Sequence, residues 1–309
     1  MGNQIKTTFL LTIMTVFFML IGRVLGGGPG MMIALVFAGG MNLFSYWYSD
    51  KLVLKMYRAS EISSTDAPEL FDIVERLAAR ADIPMPKVFI IPQDAPNAFA
   101  TGRNPDHAAV AVTQGLLRLM DRSQIEGVVA HELGHVKNRD ILIGTIAATM
   151  AGAVMMLANM AKWSAIFGGF NRDDDEGGGF IELIVMAIIA PIAAMLIQMA
   201  ISRSREYLAD ATAAGLTGNP EGLATALEKL GAYSRQIPMD ANPSTAHMFI
   251  ANPLSARRMA SLFSTHPPIE ERVARLRNEK RPPMGEDRGQ RRESTTMDQA
   301  ADDFWNRLR

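Results

Sequence analysis

Four stretches of the chain, 7–25, 30–49, 141–161 and 180–201, are apolar along their length. Each runs for about 20 residues, enough to cross a hydrocarbon core of roughly 30 Å. The first carries Arg23 near its end, the third is interrupted by Asn159, and the fourth has Glu182 at its edge and Pro191 inside. Tyr46-Trp47-Tyr48 closes the second with a ring cluster of the kind that settles at a headgroup interface. Gly26-Gly27-Gly28-Pro29-Gly30 turns between the first two, which read as an uncleaved helical hairpin. The first also has the look of a secretory signal, but it lacks a convincing small-residue cleavage site. The third and fourth read either as two further crossings or as a buried helical pair.

Between these stretches the pattern is that of a soluble domain. Asp66-Ala67-Pro68-Glu69 looks like a helix start, with a capping acid and a proline in the first turn. Leu70, Ile73, Val74, Leu77 and Ala81 then recur at helical spacing. Lys87–Ile91 and Ala108–Thr113 read as short strands. Ser123, with Glu126 three residues later, opens another helix carrying Ile125, Val128, Val129, Leu133 and Val136. Two further helices are expected around 221–232 and 268–279. From Arg281 the chain is polar and rich in Pro, Gly, Arg and Asp, a disordered tail with a short helix at 302–308. The expected fold class is mainly α (α+β): an integral membrane protein with about four transmembrane helices and a mostly helical domain holding a small β-sheet.

Basic residues orient the set. Lys6, Lys51, Lys55, Arg58, Lys137, Arg139, Arg203 and Arg205 all fall on one side of the four stretches. Arg23, Lys162 and Arg172 fall on the other, beside the acidic run 173–176, which reads as a solvated loop or a weak cation site. The positive-inside rule then puts both termini and the region 50–140 in the cytoplasm. Charged residues make up only 20% of the 309 residues, and mean hydropathy is +0.07, low charge for a soluble enzyme. A net charge of −1 without an arginine-rich face argues against nucleic-acid binding. The chain has no cysteine, so disulfides, thiolate metal sites and cysteine nucleophiles are excluded. Any metal must be held by His and carboxylates, and there are only five His.

Two of those five stand four apart in His131-Glu132-Leu133-Gly134-His135. On a helix this spacing puts both imidazoles on one face, where they can share an ion. Zinc suits them: it accepts imidazole and carboxylate in a tetrahedron and leaves one position for water. Glu132 can take that water's proton during attack on a carbonyl. No third His follows within ten residues, so a carboxylate is the better third ligand. Glu206 is the candidate. His135 lies roughly 9 Å of helix before the third stretch and Glu206 roughly 8 Å after the fourth. In an antiparallel pair the two then meet at one height. Asp210, one turn beyond Glu206, can orient a His from behind or be a simple surface acid.

Together with Asn97-Ala98-Phe99-Ala100-Thr101-Gly102 and the four apolar stretches, these residues resemble the HtpX family of heat-shock membrane proteases over about residues 1–277. That family is similar in its core to the CAAX prenyl proteases and belongs with the gluzincins. The resemblance implies a zincin-like catalytic domain, one Zn2+ held by His131, His135 and Glu206, and Glu132 as general base. It implies a multi-pass protein of the bacterial inner membrane with the lipid bilayer around it. Its substrates would be misfolded membrane proteins, degraded alongside the protease FtsH. Asn97, Ala98, Phe99 and Ala100 resemble the family's substrate-side strand, where an edge can hold an extended peptide. Thr265-His266-Pro267-Pro268 resembles its His-Pro segment, where His266 can hydrogen-bond an oxyanion. The chain then divides into a hairpin, 1–49, a protease domain with two membrane helices, 50–277, and a tail, 278–309.

Three other readings compete. An intramembrane-cleaving zinc protease would bury its His pair mid-membrane, but Lys137, Asn138, Arg139 and Asp140 follow this pair directly. Burying such charges costs about 2.5–3.5 kcal/mol each. A zinc transporter or scaffold would not need Glu132 beside ligands that lie outside the apolar stretches. A protease fold without activity would not keep the full His-Glu-His-Glu set.

Overall fold

The computed structural model describes residues 3–168, 203–233, 242, 244–250 and 267–278. The stretch 180–201, the acidic run 173–176, His266 and the tail from 281 lie outside them.

Helix α1 (Asn3–Met56) consists of two arms, broken at Gly26 and Gly27. Gly27 takes φ 61°, ψ −142°, a conformation open to glycine and strained for other residues. Asn42 Nδ2 donates to Thr15 Oγ1 at 3.0 Å, and the Phe18 and Phe37 rings meet edge-on at 5.7 Å, so the arms fold back on each other. The expected hairpin is present, and its second arm runs past residue 49 to Met56. Ile5–Arg23 and Gly26–Met56 are long and apolar enough to cross a membrane. Ile33 and Val36 on the second arm stay 72% and 74% exposed, an apolar surface better suited to lipid than to water. On the first arm Leu10, Met14 and Phe18 pack against Ile143, Ile146, Ala147 and Met150. Those four belong to helix α5 (Ile141–Gly168), which covers the third apolar stretch.

Beyond the hairpin, four strands form one sheet in the order β1-β2-β4-β3. They are β1 (Ser60–Glu61), β2 (Lys87–Ile91), β3 (Ala98–Gly102) and β4 (Ala108–Thr113), which runs on into the short helix α3 (Gln114–Leu119). β2 and β4 pair in parallel, while β1 and β3 join antiparallel at the two edges. β4 is buried throughout and feeds two cores by alternation. Val110 and Val112 face α2 (Pro68–Ala81) and α4 (Arg122–Lys137), while Ala109 and Ala111 face Phe99, Phe249 and Tyr57.

Two helix caps differ from expectation. Asp66 does not cap α2; its carboxylate accepts from the Ser63 backbone N–H and hydroxyl, and Ala67 takes the cap position ahead of Pro68. α4 begins earlier than Ser123: Asp121 accepts from Gln124 N at 3.0 Å while the Gln124 side chain accepts from Asp121 N at 3.2 Å. This closed capping box satisfies two donors at once and outcompetes the Ser123–Glu126 pair.

α4 is the central helix, buried from Val128 to Gly134. α6 (Arg203–Thr217), α7 (Pro220–Tyr233) and α8 (Ile269–Leu276) pack around it. α6 comes closest at Gly134, where an added Cβ would lie 3.2 Å from both Cα and the carbonyl oxygen of Ala209. The missing side chain lets two helix backbones approach in contact, and that approach carries Glu206 to the His pair.

Candidate metal centre

His131 and His135 stack on one face of α4, their ring centroids 4.8 Å apart and their Nε2 atoms 3.2 Å apart. From the first turn of α6, Glu206 brings its carboxylate to 3.6 Å from His135 Nε2 and 3.9 Å from His131 Nε2. One ligand atom from each of the three lies within 4.8 Å of the others. The helix-to-helix convergence expected from the spacing is therefore present.

The far side of each imidazole is held by an acid. His131 Nδ1 lies 2.9 Å from Asp210 Oδ1, the role expected of Asp210. His135 Nδ1 lies 3.2 Å from both oxygens of Asp140. α4 ends in a tight turn in which Arg139 takes φ 56° and Asp140 N donates back to His135 O, aiming the Asp140 carboxylate at the ring. A neutral imidazole that donates its Nδ1–H to such a carboxylate turns its Nε2 lone pair toward the shared point.

Arg272 on α8 is fully buried and donates to Asp210 through Nε at 2.9 Å and Nη2 at 2.7 Å. Its Nη1 lies 3.7 Å from Glu206 Oε2 and donates to Ile250 O at 3.3 Å. Burial, with the Arg272 charge adding to it, pushes His131 down to about 4 and keeps it neutral. Burial works against a charge on His135, yet Asp140, by its charge and hydrogen bond, pushes that ring up to about 10. Burial pushes Glu132 up to about 7, with the His135 charge opposing and Glu206 reinforcing.

These shifts describe a point that attracts positive charge. Glu132, Asp140, Glu206 and Asp210 gather there against the guanidinium groups of Arg205 and Arg272, an acidic excess that a cation would help balance. Two imidazole nitrogens and one carboxylate form a donor set suited to zinc, and the set leaves a position open for water. The residues present fit the ion.

A cleft of about 520 Å³ opens beside the cluster. Glu132 lines it and accepts from the Ala100 backbone N–H. Of the four substrate-side candidates, Asn97 to Ala100, Ala100 lines the cleft. Phe99 turns the other way, onto Phe249 and Tyr57, with centroids at 5.2 and 6.0 Å. Ala98 O accepts from Ile250 N at 3.1 Å, so the chain itself covers part of the strand's outer edge. Asn97 is buried beside β4, where its backbone N–H donates to Thr113 Oγ1. His266 lies outside the described residues.

Sequence reasoning missed two members of the cluster, Asp140 and Arg272. Asp140 stands five residues after His135, where the helix has to end. Arg272 had a readable signal: it shares the apolar face of α8 with Ile269, Val273 and Leu276, a place where an arginine needs a buried partner.

A family model described as Peptidase family M48 matches residues 64–280. The chain is similar to the Protease HtpX homolog of Desulfatibacillum aliphaticivorans, 64% identical over 310 residues and covering 100% of both chains. The Protease HtpX homolog of Desulforapulum autotrophicum is 66% identical over 318 residues, again covering 100% of both. That of Aquifex aeolicus is 56% identical over 262 residues, 84% of this chain and 87% of the relative. Among solved structures, S. mikatae Ste24p is similar at a TM-score of 0.49 and 18% identity, over 89% of this chain and 65% of that one.

Proposed function

Because the chain belongs to peptidase family M48 and is a metalloprotease acting on protein substrates, we propose that it is a zinc endopeptidase working at the cytoplasmic face of the bacterial inner membrane. In this reading His131, His135 and Glu206 hold the ion and Glu132 is the general base. The observation that carries it is the meeting of those three ligands within 4.8 Å, with buried Glu132 on the wall of the same cleft.

When bound, zinc would supply Lewis acidity, polarising the scissile carbonyl and acidifying a water enough for attack near neutral pH. Glu132, with its carboxyl at about 7, takes a proton from the attacking water and returns it to the leaving nitrogen. Asp210 and Asp140 hold the two imidazoles in the tautomer that turns Nε2 inward. The Asn97–Ala100 segment is the substrate side, with the Ala100 carbonyl at the cleft as the main-chain acceptor for an extended peptide. His266 is the oxyanion partner, a role that rests on its resemblance to the family's His-Pro segment.

Two apolar N-terminal arms support a membrane protein. Four crossings, both termini in the cytoplasm, a protease domain over 50–277 and a tail over 278–309 complete the reading; the one-sided distribution of basic residues supports the orientation. Quality control of damaged membrane proteins, overlapping that of FtsH, is the matching cellular task.

The test uses the full-length protein in detergent. Glu132→Gln is expected to keep its zinc and lose cleavage, self-cleavage included, while Glu206→Ala loses zinc. A Glu132→Gln variant that cleaves as well as its parent overturns the assignment.

A further inference from the structure

Arg205 stands in the first turn of α6, directly before Glu206, and lines the same cleft as Ala100 and Glu132. Its side chain is half-buried, and Nη2 is sealed from water without a hydrogen-bond partner among the described residues. The contrast with Arg272 is direct: that guanidinium, also buried, is occupied by Asp210 and the Ile250 carbonyl. A buried donor left without an acceptor is costly, the more so when it is charged. Burial works against the Arg205 charge, and Asp140 and Glu206 favour it through their fields without bonding it.

An arginine at the end of an apolar stretch often reaches for lipid phosphate. Arg203, two residues earlier and exposed, fits that description. Arg205 does not, because its unused donor is shut inside a cleft wall.

We propose that Arg205 is a substrate-binding residue, its guanidinium turning out of the wall so that Nη2 donates to a main-chain carbonyl oxygen of a peptide in the cleft. The inference rests on the peptidase reading above. A main-chain carbonyl is favoured over an acidic side chain because Asp140 and Glu206 already flank the position. A third carboxylate would be repelled there, whereas a neutral carbonyl is not.

The test uses zinc-loaded full-length enzyme in detergent with two fluorogenic peptides, identical except for Glu or Gln beside the scissile bond. Arg205→Met is expected to lower kcat/KM by about 10- to 100-fold on both peptides, mainly through KM. Its zinc content and melting temperature should match the parent's. Arg205→Lys should recover part of the loss, and Arg203→Met should behave as the parent. An active parent with an unchanged Arg205→Met removes the inference and leaves the peptidase reading standing. A loss confined to the Glu peptide, or one accompanied by loss of zinc, also overturns it. A parent that cleaves neither peptide removes both.

Discussion

Arg272 grips Asp210 through two hydrogen bonds of 2.9 and 2.7 Å, and both residues are buried. Asp210 in turn lies 2.9 Å from His131 Nδ1. α8, far along the chain from α4, is thus two contacts away from the imidazole of a proposed ligand. Removing Arg272 would leave Asp210 and Glu206 as buried acids without their counter-charge.

Arg272→Met should therefore cost about 3–5 kcal/mol of stability, the usual loss when one member of a buried ion pair is deleted. Arg272→Lys keeps the charge but not the planar fork, and should recover only part of it. Denaturation in detergent measures the first effect, and bound metal should fall in parallel. A Met variant as stable as the parent would show that the pair is incidental.

Gly134→Val tests the close approach of α6. With Ala209 backbone atoms already 3.2 Å from where a Cβ would sit, the branched side chain forces the helices apart. Overpacking of this sort costs about 1–3 kcal/mol. The more telling readout is zinc stoichiometry, which should drop because Glu206 moves away with α6. Full zinc occupancy in this variant would mean that Glu206 is not needed to hold the ion.

Asp140→Ala releases the His135 ring from its orienting acid. Zinc affinity should fall by about 10- to 100-fold, as for other acids behind a ligating imidazole. Competition with a calibrated chelator reads this directly. Equal affinity in variant and parent would leave Asp140 as no more than a helix-end residue.

Stripping the metal should lower the melting temperature as well as abolish cleavage, because the ion binds only the folded arrangement. At a free concentration 1,000 times Kd the stabilisation is about 4 kcal/mol. Zinc should restore it where magnesium does not, since two of the three donors are imidazole nitrogens. Equal melting with and without zinc would count against a folded-state site at His131, His135 and Glu206.

What the sequence made legible follows from how local each signal is. The His pair needed only helical periodicity, and Glu206 only the requirement that two helices meet at one height. Asp210 came one turn later on the same helix. Asp140 was hidden because its role depends on the left-handed turn at Arg139, a conformation that its neighbours do not announce. Arg272 was hidden because the acids that it faces, Asp210 and Glu206, lie 62 and 66 residues away in the chain. The strands Lys87–Ile91 and Ala108–Thr113 read correctly as apolar runs, whereas the two-residue β1 carries no periodicity to detect. The caps expected at Asp66 and Ser123 failed for a shared reason: several polar residues nearby could cap, and local hydrogen bonds chose among them.

The second arm of the hairpin continues without a joint from Tyr46-Trp47-Tyr48 to Met56. Tyr57 follows it at once and packs on Phe99 and Phe249 beneath the cleft, while Arg103 just after β3 lies over the Trp47 ring at 4.5 Å. With that arm seated in a bilayer, the catalytic groove stands on a stiff strut roughly 13 Å tall rather than on a tether. It would work like a blade at fixed height, meeting chain segments as they emerge from the lipid and leaving most freely diffusing proteins alone.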